Sequence, residues 1–247
     1  MAMGRTVLLV GGTGRTGRLV LEQLLHRGLR VRAIVRSPHK LPPSVAQDPN
    51  LTVVEADLLS MGEADLLSQV CGCHAVISCL GHVTDIQGIF GPPRDLVTQA
   101  TTRLCRAIAA SQSSEPVKFI LMSSVSVYHP GGLDVRRGRA DKAVMWILRS
   151  LVPPSKDNQR AADFLVEHIG AVSPSLQWVV VRPDTLVDGG VSQYALHENL
   201  VSSLFKPDKT NMANVAHFMG ELVDIPRVWD AWQGKLPVII NAAASKG

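Results

Sequence analysis

A glycine-spaced turn set between an apolar run and a helical pattern is the feature that most limits what this chain can fold into. Val7-Leu8-Leu9-Val10 carries no charge and leads straight into Gly11-Gly12-Thr13-Gly14-Arg15-Thr16-Gly17. Leu19, Val20, Leu24 and Leu25 then recur at helical spacing. Strand, tight glycine turn and helix make one βα unit of a parallel sheet, with a turn suited to a pyrophosphate. The glycines let the backbone bend sharply and approach a ligand that a Cβ would keep away. The helix behind them offers unpaired N–H groups and its positive dipole end to an anion. The turn therefore predicts a bound dinucleotide and leaves its use open.

The same alternation runs along most of the chain. Thr6–Val10, Arg30–Val35, Leu51–Glu55, Ala75–Cys79, Val117–Met122 and Gln177–Val181 read as strands, and Arg15–Arg27, Gly62–Val70 and Arg94–Ala110 as helices. On Arg94–Ala110 the apolar stripe is Leu96, Val97, Leu104 and Ile108. Alternation of this kind predicts an α/β fold, a doubly wound parallel sheet covered by helices on both faces. Lys142–Leu151 reads as a helix, broken at Val152-Pro153-Pro154. A second helix is expected from Ser155 to about His168, with Ser155 as N-cap and Asp157 in its first turn. Beyond Arg182-Pro183 the pattern weakens. We expect a short helix within Ser192–Phe205, a well-marked one over Asn211–Val223, and a last extended segment at Leu236–Ile240. Residues 1–247 are thus expected to form one dinucleotide-binding domain, with 184–235 as a small substrate-side lobe.

Composition excludes several classes. A hydrophobic content of 46% with 19% charged residues describes a chain able to build a core, not a disordered one. No apolar run reaches the roughly 18 residues of a membrane span. Met1-Ala2-Met3-Gly4-Arg5 runs directly into the first strand, which leaves no room for a signal peptide and predicts a cytoplasmic protein. Cys71, Cys73, Cys79 and Cys105 lack zinc-site spacing and read as reduced thiols; no metal is expected. The net charge of +4 gathers early, with Arg15, Arg18, Arg27, Arg30, Arg32, Arg36 and Lys40 in the first forty residues. Some of these form a solvated basic face, and others attract a polyanionic cofactor. No nucleic-acid module accompanies them, so the expected partner is a small molecule.

The G-x-x-G-x-x-G spacing in this context resembles the short-chain dehydrogenase/reductase superfamily, in its extended and atypical branches. The resemblance covers most of the chain and implies a Rossmann-like fold. The glycine turn, with Gly11, Thr13, Gly14, Arg15, Thr16 and Gly17, then holds the cofactor. At the end of the second strand, an acid would bond the ribose of NAD, whereas an arginine accommodates the 2′-phosphate of NADP. Here Val31-Arg32-Ala33-Ile34-Val35-Arg36-Ser37 places Arg36 at that position with no acid beside it. A planar guanidinium grips phosphate with two donors, and Arg15 and Lys40 add charge, so NADP(H) is the expected cofactor. The alternative is that Arg36 is a surface cation. The resemblance further implies that Asp57 and Leu58 cradle the adenine, Asp57 otherwise capping the next helix. Leu80 and Gly81 pass the ribose, and Pro183 contacts the nicotinamide. Arg182 reads either as a structural ion-pair partner or as a substrate contact.

The reacting half departs from the superfamily. Its usual acid is a tyrosine with a lysine four residues on. Tyr128 is followed at that spacing by Gly132 and Tyr194 by Glu198. Anchored on Asp163 and Leu165, the tyrosine slot falls near Ser155 and the lysine slot near Gln159. Ser123-Ser124-Val125-Ser126-Val127-Tyr128 matches the serine motif after the fifth strand, with Ser124 in the carbonyl-polarising position and Ser123 nearer the cofactor; two serines ending a strand is the other reading. The departures resemble the atypical branch of NmrA-like regulators and flavin reductases. There Asn158 occupies the proton-donor position, where an amide cannot cycle a proton, and Asp157 or Arg160 is left to do so. Tyr128, His129, His197 and His217 are remaining pocket candidates. Two functions follow: reduction of a flavin, quinone or enone-like acceptor, or an NADP(H)-binding redox sensor that contacts a protein without turnover.

Overall fold

The computed structural model describes residues 5–82, 93–129, 153–171, 173–202 and 206–242. Its first half follows the alternation closely: β1 (Thr6–Val10), α1 (Arg15–His26), β2 (Arg30–Val35), β3 (Leu51–Glu55), α2 (Glu63–Val70), β4 (Ala75–Ser78), α3 (Leu96–Ala110) and β5 (Val117–Met122). The second half holds α4 (Pro153–Asp163), β6 (Leu176–Pro183), β7 (Thr185–Val187), β8 (Tyr194–His197), β9 (Lys209–Asn211), α5 (Met212–Asp224), α6 (Pro226–Trp232) and β10 (Val238–Asn241). The helix expected over 142–151 lies outside the described residues.

The central sheet has eight strands in the order β3-β2-β1-β4-β5-β6-β10-β8. All pairs are parallel except β10 with β8. The order reverses beside β1, so β1 and β4 flank a crevice at their carboxyl ends, where ligands of doubly wound sheets bind. The alternating side chains of each strand feed two cores. Leu9, Ile77, Ile120 and Val181 pack with α1 and α5, while Leu8, Val76, Leu121 and Val180 pack with α2, α3 and α4. Strands buried on both faces favour apolar residues along their length, in keeping with the lack of charge on β1 and β4. On α5, Val215, Phe218, Met219 and Leu222 are all buried, as their spacing requires.

Two elements differ from the sequence expectation. Among the described residues of Ser192–Phe205 the structure has an antiparallel edge strand, β8, where a helix was expected. Tyr194–His197 pairs with Asn241–Val238, and this partner lies 41 residues or more along the chain, where no local pattern reports it. Likewise α4 starts at Pro153, two residues before Ser155. Prolines open a helix without loss because the first N–H groups have no intrahelical acceptor. Ser155 is therefore inside the helix, and its Oγ has no hydrogen-bond partner among the described residues. A π-helical turn, Phe164–Ile169, carries the helix to its end.

A buried lysine lies inside this frame. Lys118 on β5 is buried, and its Nζ donates to the carbonyls of Leu222 (3.1 Å) and Val223 (2.9 Å) at the end of α5. Nζ also sits 4.9 Å from the Trp229 ring centre. Burial, followed by the charge of Arg5, pushes its pKa down to about 8. The folded pKa is thus below the unfolded one, and between the two the unfolded chain binds more protons. Stability contributed by this group must therefore rise as pH climbs from about 8 towards the unfolded lysine value. In urea titrations, the stability difference between the parent chain and Lys118→Met is expected to shift in the parent's favour from pH 7 to pH 10. A constant difference contradicts this.

Candidate cofactor groove and reaction site

The glycine turn closes on itself. Gly14 N–H donates to Gly11 O at 3.0 Å, and Gly11 has a φ of +79°, a left-handed conformation that favours glycine. A Cβ on Gly11 would lie 2.6 Å from the carbonyl carbon of Cys79, and one on Gly17 would lie 2.0 Å from Gly11 O. β4 and the first turn of α1 therefore press directly on the glycine backbone. No side chain caps the N-terminus of α1, whose N-cap is Gly14. Its first N–H groups keep the anion-binding capacity of an open helix end.

The crevice beside this turn gathers residues from four strand ends. Gly11 and Thr13 follow β1, Arg36 follows β2, Asp57 and Leu58 follow β3, and Leu80 and Gly81 follow β4; all line one groove. Leu96, expected on the buried stripe of its helix, also lines this groove. Arg36 is exposed, and no ion pair engages it among the described residues. Asp57 does not cap α2, whose N-cap is Gly62. Its Oδ1 instead accepts the Leu59 N–H at 2.8 Å and shapes its own turn. Gly14, Arg15, Thr16 and Gly17 belong to the turn and to α1: Thr16 is buried, and Arg15 Nη2 pairs with Asp188 at 3.2 Å. A cradle that admits no Cβ, an open helix end and a free guanidinium together fit a dinucleotide phosphate.

Asp188 was not legible in the sequence, since 173 residues separate it from Arg15. It belongs to a loop held by amides. Asn214 Oδ1 accepts the Ser192 N–H at 2.7 Å, and Asn211 Nδ2 donates to Gly190 O at 2.9 Å. Asn241 Oδ1 receives both Asn214 Nδ2 and the Asn211 N–H.

The serine loop after β5 is braced on three sides. Ser123 N–H donates to Val181 O at 2.8 Å and Val125 N–H to Pro183 O at 3.1 Å. This places Ser123, Ser124 and Pro183 on adjoining strand ends. Ser124 Oγ and Ser126 Oγ are 2.6 Å apart, while Ser123 Oγ is buried and has no hydrogen-bond partner among the described residues. Arg182 is fully buried and donates to three carbonyls: Nε to Leu236 (2.7 Å), Nη1 to Val127 (3.0 Å) and Nη2 to Glu198 (3.1 Å). It is a main-chain brace. Gln159, in the slot of the missing lysine, does similar work. Its Oε1 accepts the Tyr128 N–H at 2.9 Å and its Nε2 donates to Tyr128 O at 3.0 Å.

Asp157 holds a position different from that expected of a proton donor facing substrate. It is 1% exposed, and its carboxylate accepts Val97 N–H (2.8 Å), Thr98 N–H (2.9 Å) and Thr98 Oγ1–H (2.6 Å). α3 has no side-chain cap of its own, so Asp157 caps it from α4. His82 Nε2 lies 2.8 Å from the same carboxylate. His82 is the residue the sequence reading missed; the available signal was an imidazole one position past the groove glycine Gly81. Asn158 is half-buried on the next position of α4. His217 lies 3.0 Å from the Tyr194 hydroxyl through Nδ1, in a contact between α5 and β8. The buried cysteines are inert. Burial pushes the Cys73 thiol up to about 11 and that of Cys79 up to about 12, above the range in which a thiolate forms at neutral pH.

Comparison with known proteins agrees with this architecture. The chain is 30% identical over 241 residues to protein TIC 62, chloroplastic, of Oryza sativa; the match covers 87% of this chain and 46% of that protein. It spans about half or less of the length of the curated relatives it matches. The oxidoreductase ylbE of Lactococcus lactis superposes with a TM-score of 0.68 at 20% identity, covering 97% of this chain and 92% of that one. A short-chain dehydrogenase/reductase of Veillonella parvula, solved in complex with NADP, gives 0.68 at 13% identity, covering 98% and 96%. At these identities the likeness is one of fold. The family model described as NAD(P)H-binding matches residues 11–226, over the glycine turn and every strand end named above, and this chain belongs to that NAD(P)H-binding family.

Proposed function

We propose that this chain is an NADP(H)-dependent reductase acting on a small conjugated acceptor such as a flavin, a quinone or an enone. The observation that carries the reading is Arg36. Its guanidinium stands free at the end of β2, on the groove shared with Gly11, Thr13 and Asp57, which supports a role beside the adenosine ribose of a dinucleotide. Bound NADPH would supply the hydride. Gly11 to Gly17 would hold its pyrophosphate, Arg36 its 2′-phosphate, and Asp57 and Leu58 its adenine. On the other half of the site Ser124 would orient an acceptor oxygen by hydrogen bond, with Ser123 and Pro183 beside it. Such acceptors carry their own conjugation, so reduction needs no tyrosine–lysine pair to activate an isolated carbonyl.

A second reading, an NADP(H)-binding sensor without turnover, is favoured by Gln159. The slot of the catalytic lysine is spent on clamping the main chain of Tyr128.

One set of titrations tests both. Arg36→Ala is expected to weaken NADPH binding about 100-fold, the value of roughly 2.7 kcal/mol for a charge-assisted phosphate contact, and to change NADH binding less than about threefold. Equal losses for the two cofactors would remove the NADP assignment. Absorbance loss of NADPH with a panel of flavins, quinones and enones then separates reductase from sensor: tight binding without oxidation across the panel leaves the sensor.

A further inference from the structure

We infer that His82, held by Asp157, is the proton donor of this site, an inference that rests on the reductase reading above. The strand order divides a doubly wound sheet into two mononucleotide halves. Arg36 and Asp57 stand at the ends of β2 and β3, in the adenosine half. The reacting half is then formed by the ends of β4, β5 and β6. His82 follows β4, Ser123 and Ser124 follow β5, and Pro183 ends β6.

The pair has the construction that acid–base catalysis requires. Asp157 is locked by three donors from the first turn of α3, so its carboxylate cannot turn away from His82. An ionised carboxylate only accepts, so Nε2 of His82 donates to it across 2.8 Å, and this selects the imidazole tautomer. Nδ1 is left for chemistry; it has no hydrogen-bond partner among the described residues. The carboxylate also stabilises the imidazolium that must form when the donor is recharged, the role of the buried acid in a serine hydrolase triad. The His82 side chain is 5% exposed, so most of the imidazole is covered by protein while the residue keeps some access to solvent.

The reaction balances without a further reactant. The acceptor gains a hydride, drawn from the reduced nicotinamide, which is oxidised. It gains a proton from Nδ1 of the His82 imidazolium, which becomes neutral and is recharged from solvent. A quinone leaves as its hydroquinone. A tetrazolium cation needs the hydride alone, because hydride transfer already neutralises it.

That difference supplies the test. In the full chain, His82→Gln keeps a donor to Asp157 but cannot cycle a proton. It is expected to lower kcat about 100-fold with a naphthoquinone, the scale of lost general acid catalysis, and less than about threefold with a tetrazolium cation. NADPH affinity and KM for the quinone are expected to hold. Independently of turnover, 15N NMR of histidine-labelled protein should show His82 protonated at Nε2 in its neutral form, with Nδ1 shifting when NADP+ and naphthoquinone are added together. Equal losses with both acceptors, an unaffected quinone rate or an unmoved Nδ1 resonance would overturn the inference while leaving the reductase reading in place. Failure of the parent chain to oxidise NADPH with any acceptor would overturn both. If His82→Gln does not fold, His82→Asn takes its place in the kinetics, and the NMR measurement on the parent chain decides by itself.

Discussion

Gly17→Ala is expected to cost at least about 1,000-fold in NAD(P)H affinity, roughly 4 kcal/mol, measured by fluorescence titration. The added methyl would sit 2.0 Å from Gly11 O and 2.9 Å from Gly11 C. Neither atom can retreat. Gly11 is itself pressed against the Cys79 main chain, and its carbonyl receives the Gly14 N–H that closes the turn. The strain must therefore open the turn or push α1 off the sheet, and either movement carries the helix N–H groups out of reach of the pyrophosphate. Gly190→Ala is the matched control, since a Cβ there meets nothing within 4 Å. Retention of affinity within about tenfold in Gly17→Ala would show that this turn does not hold the cofactor.

Arg182→Leu is expected to be the most destabilising single side-chain change away from the groove, by about 4 kcal/mol in denaturant titrations. For a chain of this length that corresponds to a Tm lower by roughly 10 °C. The side chain is fully buried, and its removal strands the carbonyls of Val127, Glu198 and Leu236. Those carbonyls belong to three separate pieces: the serine loop, the turn after β8 and the approach to β10. Arg182→Lys should recover only part of the loss, since one ammonium cannot span the acceptors that a planar fork reaches. Its residual cost should be about 2 kcal/mol. A loss below about 1 kcal/mol for the leucine variant would mean that the three segments are held by other contacts.

Much of the binding half was legible before any fold was known, because it obeys short-range rules. Thr6–Val10, Arg30–Val35, Leu51–Glu55 and Val117–Met122 have the bounds their apolar runs suggested. Among them β1, like β4, is a largely buried segment that announces itself by carrying no charge. Gly11, Thr13, Arg36, Asp57, Leu58, Leu80 and Gly81 converge because each is the residue at, or just past, the end of a parallel strand, and parallel strands end on the same edge. The failures also have a common cause. β8 was read as a helix because its pairing partner is β10, and no pattern within Tyr194–His197 reports that partner. Asp157 suggested a first-turn acid, while its position is set by the uncapped start of α3, about sixty residues earlier. Arg182 offered a charge that left an ion pair and a substrate contact open, and only packing shows its guanidinium donating to the carbonyls of Leu236 and Val127.

Local chemistry by itself therefore determined the parallel strands β1 to β6, the glycine turn and the cationic end of β2. Backbone conformation, strand alternation and helix capping depend on neighbours in sequence, so these features survive in a linear reading. Only tertiary structure decided which polar groups are consumed and which stay available. Asp157 is spent on α3 and His82, and Gln159 on the Tyr128 main chain. Arg36 is left open on the groove. A hydrogen bond is satisfied by whatever donor or acceptor comes within about 3 Å, and that neighbour is chosen by packing and not by order along the chain.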